Sequence, residues 1–252
     1  MYLIDRKILV VKKSEELKLA VFSDFDGTVT KLDIGDEIFK IFGKFEPYHN
    51  LLREGKLNIK DYWKKVCSEL NPGTNEETIK KYAEQQEVDS YFKDFAEFCK
   101  DNQIPLSILS DGFDTYIKPI INKSGLEQVN ILCNKLIFNN GSPPEPVYPY
   151  ASESCTCDCA SCKRNSMINS VDDKTVLVYI GDDYSDFCGA EHSDIVFAKK
   201  NLAAYCNENR IPHYPYSTFF DILRIMRKIV KNKKYKFRHQ AKIKRKQAFE
   251  AE

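Results

Sequence analysis

Phe22-Ser23-Asp24-Phe25-Asp26-Gly27-Thr28-Val29-Thr30 is the stretch on which the reading of this chain turns. The apolar residues Leu19 to Val21 run into it as a buried strand would. Asp24 and Asp26 then fall where that strand should end. Residues i and i+2 of a strand point to the same side, so both carboxylates can face one cavity. Two like charges that close repel unless a cation lies between them or one is protonated. Gly27 permits a sharp turn out of the strand. A magnesium-dependent phosphoryl-transfer site needs such an arrangement.

Three further motifs follow in order. Ser110 comes after the apolar run Ile104 to Leu109, which Pro105 interrupts, and it precedes Asp111-Gly112. Lys163 comes directly after a cluster of cysteines. Gly181-Asp182-Asp183-Tyr184-Ser185-Asp186 follows the run Thr175 to Ile180. Asp-x-Asp-Gly-Thr, a serine after a second strand, a lysine, and Gly-Asp-Asp-x-x-Asp after a third strand together resemble the haloacid dehalogenase superfamily of phosphatases. The resemblance covers roughly residues 18 to 225. A lone Asp-x-Asp is weak evidence; four motifs in order, each behind a strand-like run, are specific.

The 252 residues allow one large domain or a core with an insert, and 42% hydrophobic content supplies a sizeable core. There is no apolar run long enough for a membrane span. Met1 to Glu16 lacks the apolar segment and cleavage site of a signal peptide, so a soluble cytoplasmic protein is expected. Nine cysteines without an export signal point to reduced thiols or a metal site rather than disulfides. The sequence sets no oligomeric state.

Strand-like runs alternating with helical stripes imply an α/β fold: a Rossmann-like parallel sheet, with ligands at the carboxyl ends of its strands. Residues 1–32 and 89–227 are read as the catalytic core, with 1–17 an N-terminal extension. Residues 33–88 are read as an inserted helical cap, because Ile34, Ile38 and Phe39, and then Ile59, Trp63 and Val66, recur at helical spacing. Asn71-Pro72-Gly73-Thr74 is a turn, with Thr74 expected to cap a helix beginning at Asn75. Later elements are expected as a helix over 91–100 and a helix over 113–123 that Pro119 kinks or stops. Short strands are expected at 129–132 and 136–138, a loop at 141–149, and a last strand at 195–198. Residues 228–252 form a basic C-terminal tail.

The resemblance assigns roles. Asp24 is the expected nucleophile, and Asp26 the general acid and then base. Asp182, Asp24 and the backbone carbonyl of Asp26 are the expected Mg2+ ligands, an oxygen-only set of the kind magnesium prefers. Asp186 and Asp183 support them; Asp186 would orient water or Lys163, or simply start a helix. Ser110, Lys163, Gly27, Thr28, Asp111 and Gly112 would bind the phosphate. An N-cap role for Ser110 is the alternative, and Lys174 is the rival to Lys163.

Cap position and motif detail resemble the phosphoserine-phosphatase-like branch. Ser110-Asp111-Gly112-Phe113-Asp114, Cys162-Lys163-Arg164, Tyr179-Ile180-Gly181-Asp182 and Phe197-Ala198-Lys199 are closer still to the methionine-salvage enol-phosphate phosphatases. That family dephosphorylates 2-hydroxy-3-keto-5-methylthiopentenyl-1-phosphate. Phosphoethanolamine and phosphocholine phosphatases share the cysteine-and-lysine motif. Phosphoserine phosphatases carry a cap acid and a cap arginine, for which Asp33 and Arg53 would stand, although ungapped comparison puts Tyr48 at the arginine position. A small phosphorylated metabolite is the expected partner.

Two features lie outside that pattern. Cys155, Cys157, Cys159 and Cys162 supply four thiols in eight residues, enough for a structural Zn2+, with packed reduced thiols or a redox pair as alternatives. The tail from Lys228 to Lys246 is either a solvated charge run or an electrostatic nucleic-acid contact. Tyr235 and Phe237 are too few for a stacking platform, so nucleic acid is not the expected partner. A non-catalytic binding protein that keeps the fold and uses this tail is the rival from another class.

Overall fold

A strand with no polar face must be covered on both sides, which a central parallel strand achieves. In the computed structural model, which describes residues 17–139, 141–155, 157 and 159–250, β1 (Lys18–Ser23) is buried from Leu19 onward. Helices α1 (Ile34–Phe42), α2 (Tyr48–Arg53), α3 (Ile59–Ser68) and α4 (Glu76–Ala83) follow it. Next come α5 (Phe92–Asp101), β2 (Leu106–Phe113), α6 (Asp114–Lys123), β3 (Asn130–Ile137) and β4 (Glu145–Val147). Helix α7 (Lys163–Asn169) leads to β5 (Thr175–Gly181), a 3-10 turn (Tyr184–Asp186) and α8 (Phe187–Glu191). Then β6 (Ile195–Ala198), α9 (Lys200–Glu208), β7 (Tyr214–Pro215), α10 (Phe219–Lys231) and α11 (His239–Glu250) complete the described chain.

The strands form one sheet in the order β4-β3-β2-β1-β5-β6-β7. All neighbours are parallel except β3 and β4. The chain first builds outward from β1 through β2 and β3, then returns to β5 on the other side. The sheet therefore changes direction between β1 and β5, where α/β proteins open a crevice at the strand ends. Register sets that edge: Ser23 lies level with Ile108 on β2 and with Ile180 on β5.

Alternation divides the core. Leu19 and Val21 of β1, with Val176, Val178 and Ile180 of β5, face the larger apolar cluster, which also holds α1, α3 and α10 residues. Ala20 and Phe22, with Leu177 and Tyr179, face the second cluster with Met167 and Leu202. Trp63 of α3 packs on Phe39 at 5.6 Å and on Phe113 at 4.9 Å, tying the helices between β1 and α5 to the end of β2. Thr30 and Val88 pair as an antiparallel bridge at their base.

Several elements differ from the sequence reading. Asn75, not Thr74, caps α4, by accepting from the Thr78 N–H at 3.0 Å. The two short strands are one, β3: buried Asn134 interrupts the apolar pattern, and its side chain donates to the Asp111 carbonyl at 2.7 Å. The expected loop at 141–149 contains β4, which pairs with the outer half of β3. A two-residue strand, β7, extends the sheet beyond β6. Pro119 lies inside α6 without ending it. It forfeits one helical bond, about 3 kcal/mol, whereas burying Ile117, Ile120 and Ile121 stabilises by roughly 1.5–3 kcal/mol each.

The basic tail is helical. The boundary drawn at residue 228 falls inside α10, and α11 lies against α8. Arg238 donates to the carbonyls of Ala190 (2.8 Å), Glu191 (2.7 Å) and Ser193 (2.9 Å), which closes the C-terminal end of α8. Arg245 donates to the His192 carbonyl at 2.6 Å and pairs with Asp194. The expected N-terminal extension lies, but for Leu17, outside the described residues. Among the described residues no helix is long and apolar enough to cross a membrane.

Candidate active site

Three strand ends and one helix start meet at the carboxyl edge of the sheet. The Asp24 N–H donates to the Ile180 carbonyl at 2.9 Å, so β1 continues its ladder with β5 up to the carboxylate. Lys163, the first residue of α7, is 2% exposed. Its ammonium donates to Asp24 Oδ1 (2.6 Å), Asp186 Oδ1 (2.6 Å) and Ser185 Oγ (2.9 Å). Burial alone would lower the Lys163 pKa; Asp186 and Asp24 outweigh it and hold the ammonium well above its ordinary range.

Asp186 uses both its oxygens. Oδ1 also accepts from the Tyr179 hydroxyl at 2.6 Å, and Oδ2 accepts from the N–H groups of Asp182 (2.8 Å) and Asp183 (3.1 Å). Asp182 accepts from Thr28 Oγ1 at 3.0 Å and from Lys200 Nζ at 2.8 Å. Oxygens of Asp24, Asp182 and Asp186 all lie within 4.8 Å of one another. One buried ammonium does not balance three buried carboxylates. Burial, and then the Asp186 charge, therefore raise Asp24 well above the usual carboxylate range and raise Asp182 as well.

Asp26 faces a different set of donors. The Ile34 N–H (2.9 Å) and the Gly35 N–H (3.4 Å), at the start of α1, donate to its Oδ1. The Tyr116 hydroxyl donates to Oδ2 at 2.7 Å. Burial and the nearby Asp33 carboxylate raise Asp26 to about 7, the range suited to a group that must give and take a proton. Gly27 has φ +74, and a Cβ there would stand 2.5 Å from Asp182 Oδ2, so the turn needs glycine.

The second motif lies within β2 rather than after it. Ser110 is 1% exposed, and its Oγ accepts from the Gly112 N–H at 2.9 Å. It is not a helix cap: α6 starts at Asp114, behind Phe113. The Asp111 carboxylate turns away and accepts from the Ser161 N–H at 2.6 Å. Burial lifts it to about 6.

The structure thus brings together Asp24, Asp26, Thr28, Lys163, Asp182 and Asp186, and places Gly27 in their turn. Asp183 is exposed and caps the 3-10 turn, accepting from Tyr184 N–H and from Asn201 at 2.8 Å each. Asp33 caps α1, accepting from the Asp36 N–H at 2.8 Å. Arg53 ends α2 exposed, with no hydrogen bond or ion pair to the carboxylates among the described residues. Lys174 precedes β5, at the opposite edge of the sheet from Asp182. Four participants were missed: Lys200, Tyr116, Tyr179 and Ser185. Lys200 had a readable signal, since it lies two residues beyond the end of β6, at the same edge of the sheet as Asp24. Tyr116 had none, because an aromatic residue in a helix reads as core, and Tyr179 and Ser185 stand within the quoted motifs without being given a role.

A solved phospho-aspartyl intermediate analogue of phosphoserine phosphatase has the same fold, with TM-score 0.62 at 19% identity over 83% of this chain and 99% of that one. A substrate-bound phosphoserine phosphatase complex aligns with TM-score 0.59 at 22% identity, over 76% and 91%. Among curated proteins, the chain is 29% identical to 2-hydroxy-3-keto-5-methylthiopentenyl-1-phosphate phosphatase of Lysinibacillus sphaericus, over 85% of this chain and 96% of that protein. It is 31% identical to the protein of the same name from Brevibacillus brevis, over 84% and 96%. Fold and relatives define a phosphatase of the haloacid dehalogenase superfamily, a phosphoric monoester hydrolase. Residues 18–213 match the family described as "Putative Phosphatase", and the chain belongs to that family.

Proposed function

We propose that the chain hydrolyses a small phosphomonoester with Mg2+ through a phosphorylated Asp24. The observation that carries this is the trio Asp24, Asp182 and Asp186 gathered around the buried ammonium of Lys163. The donors fit magnesium: they are oxygens, they carry surplus negative charge, and Asp182 already draws the Lys200 cation. Asp24, Asp182 and the Asp26 carbonyl would hold the ion. When bound, it would neutralise charge on the phosphoryl oxygens.

Lys163 holds Asp24 Oδ1, which leaves Oδ2 to attack phosphorus while the bond to the leaving oxygen breaks. Asp26, protonated near pH 7, gives its proton to that oxygen. Asp26 then takes a proton from water, the water oxygen attacks phosphorus, and the bond to Asp24 breaks to free phosphate. Ser110 and the N–H groups of Asp111 and Gly112, at the end of β2, bind the phosphoryl oxygens. Asp186 fixes Lys163, and Tyr116 fixes Asp26.

Residues 33–88 act as the cap, and the Thr30–Val88 bridge at their base supports this division. An enol phosphate of the methionine-salvage type is the favoured substrate, on the strength of the relatives. Phosphoserine, phosphoethanolamine and phosphocholine are the alternatives. Asp33 is engaged in capping and Arg53 is exposed, which weakens phosphoserine. His49 Nδ1, Tyr62 OH and Trp63 Nε1 are buried without a partner in this region and would meet the leaving group. A nucleic-acid role for the tail loses support because Arg238 and Arg245 are engaged with α8 and the segment after it.

The test is phosphate release from a panel of these esters, with Mg2+ and with chelator, beside Asp24→Asn. Release that needs Mg2+ and vanishes in the variant is expected. Release unchanged in Asp24→Asn would remove Asp24 as nucleophile.

A further inference from the structure

Nine cysteines divide into two populations. Cys67, Cys99, Cys133 and Cys206 are buried in apolar surroundings, where burial pushes Cys99 and Cys133 up to about 12 and Cys206 to about 11. Such thiols pack as small hydrophobes. The other five converge. Sγ atoms of Cys155, Cys159 and Cys162 lie within 4.8 Å of one another, as do those of Cys155, Cys157 and Cys188. Cys155 belongs to both groups. Hydrogen bonding from Cys157, then Cys159, Cys162 and Cys188, holds Cys155 well below the ordinary thiol range.

Cys188 is the informative member. It lies 26 residues beyond Cys162, on α8, and it is 8% exposed. Four thiols close in sequence can cluster merely because the chain is short there. A fifth, from a separate helix, is brought by the fold. Residues 148–162 form neither helix nor strand where they are described, an unusual length of irregular chain for a folded domain. Its two ends are tied by the Cys162 N–H donating to the Tyr150 carbonyl at 2.8 Å. All nine cysteines are free thiols, so no disulfide braces the loop.

We propose that Cys155, Cys157, Cys159, Cys162 and Cys188 form a thiolate site for zinc, with Cys155 as the shared ligand and Cys188 as the ligand that fastens α8 to the loop. Zinc takes four such donors, and Cys155 lies within 4.8 Å of each of the other four, which fall into two trios that share it. As each Sγ–metal bond forms, the S–H bond breaks and the proton leaves to solvent. The position gives the site a purpose. Cys162 immediately precedes Lys163, and Cys188 comes two residues after Asp186. A metal across these cysteines fixes both ends of the 2.6 Å Lys163–Asp186 pair, without touching substrate.

The experiment is elemental analysis of the purified full chain, followed by chelation and titration with cobalt(II). At least one zinc per chain and a thiolate-to-cobalt charge-transfer band are expected. In Cys188→Ser, metal content at fixed free zinc should fall at least tenfold, with the folded state checked by circular dichroism. Should that variant not fold, Cys157→Ser at the partly exposed edge is expected to weaken binding, and bound zinc in the native chain should protect the five cysteines from alkylation. Cys99→Ala, outside the site, should bind as the native chain does. Chelator should lower the native Tm and leave that of folded Cys188→Ser unchanged. A native chain with neither zinc nor the cobalt band, disulfides among these cysteines, or a folded Cys188→Ser with full metal content would each overturn the assignment.

Discussion

The Lys163–Asp186 network and the buried polar atoms of α2 and α3 are partnered to very different degrees. At the carboxyl edge of the sheet, Asp186 accepts from four donors, and Lys163 donates to three acceptors. In α2 and α3, by contrast, Tyr62 OH, Trp63 Nε1 and His49 Nδ1 are buried with no partner. A matched network in a dry site is rigid; an unmatched donor there costs free energy until something meets it. Under the function proposed above, the strand ends would carry the chemistry and the helices of residues 33–88 the recognition.

Lys163→Met is the hardest blow to that contrast. It leaves Asp24 and Asp186 buried without their ammonium, so stability should drop by about 3–5 kcal/mol in a denaturant titration. Turnover should fall by about a thousandfold or more, in line with the loss of a preorganised charge. A variant as stable as the native chain would show that the edge network is not what holds the site. Gly27→Ala tests the same edge more gently. The residue at φ +74 would be strained by about 1–3 kcal/mol, and its methyl group would displace Asp182. We expect kcat to fall by roughly 10–100-fold, with weaker apparent Mg2+ affinity in the same assay. Tyr62→Phe should do least. Removing an unpartnered hydroxyl should leave stability within about 1 kcal/mol, while KM for the preferred ester rises a few-fold at constant kcat. A fall in kcat with constant KM would move Tyr62 from recognition to chemistry.

Legibility followed the same division. Asp24, Asp26 and Asp182 could be read because strand periodicity and short spacings fix where such residues end up, whereas Lys163, behind an irregular segment, was chosen over Lys174 only by the resemblance of its Cys162-Lys163-Arg164 motif. The sheet was readable wherever strands were continuously apolar, as at β1 and β5. It failed at β3, where the buried Asn134 looks like a break until its bond to the Asp111 carbonyl is seen. Arg53 was the least legible, because it ends the short helix α2 exposed, and which way a helix end points is set by packing that the sequence does not show. Cys188 could not be paired with Cys155 from sequence, since only the turn at Asp186 brings α8 beside the loop.

Arg238 gives the molecule an order of events. The carbonyl of Ala190 finds its donor 48 residues later in the chain. At synthesis rates of ~5–20 residues per second, that delay is roughly 2–10 s. During it, α8, which starts right after Asp186, has an unfinished C-terminal end. The phosphoryl site is thus completed from both directions, its first carboxylate made early and the clasp on its last helix made late. A nascent chain stalled before Arg238 would present the sheet edge with that helix still open.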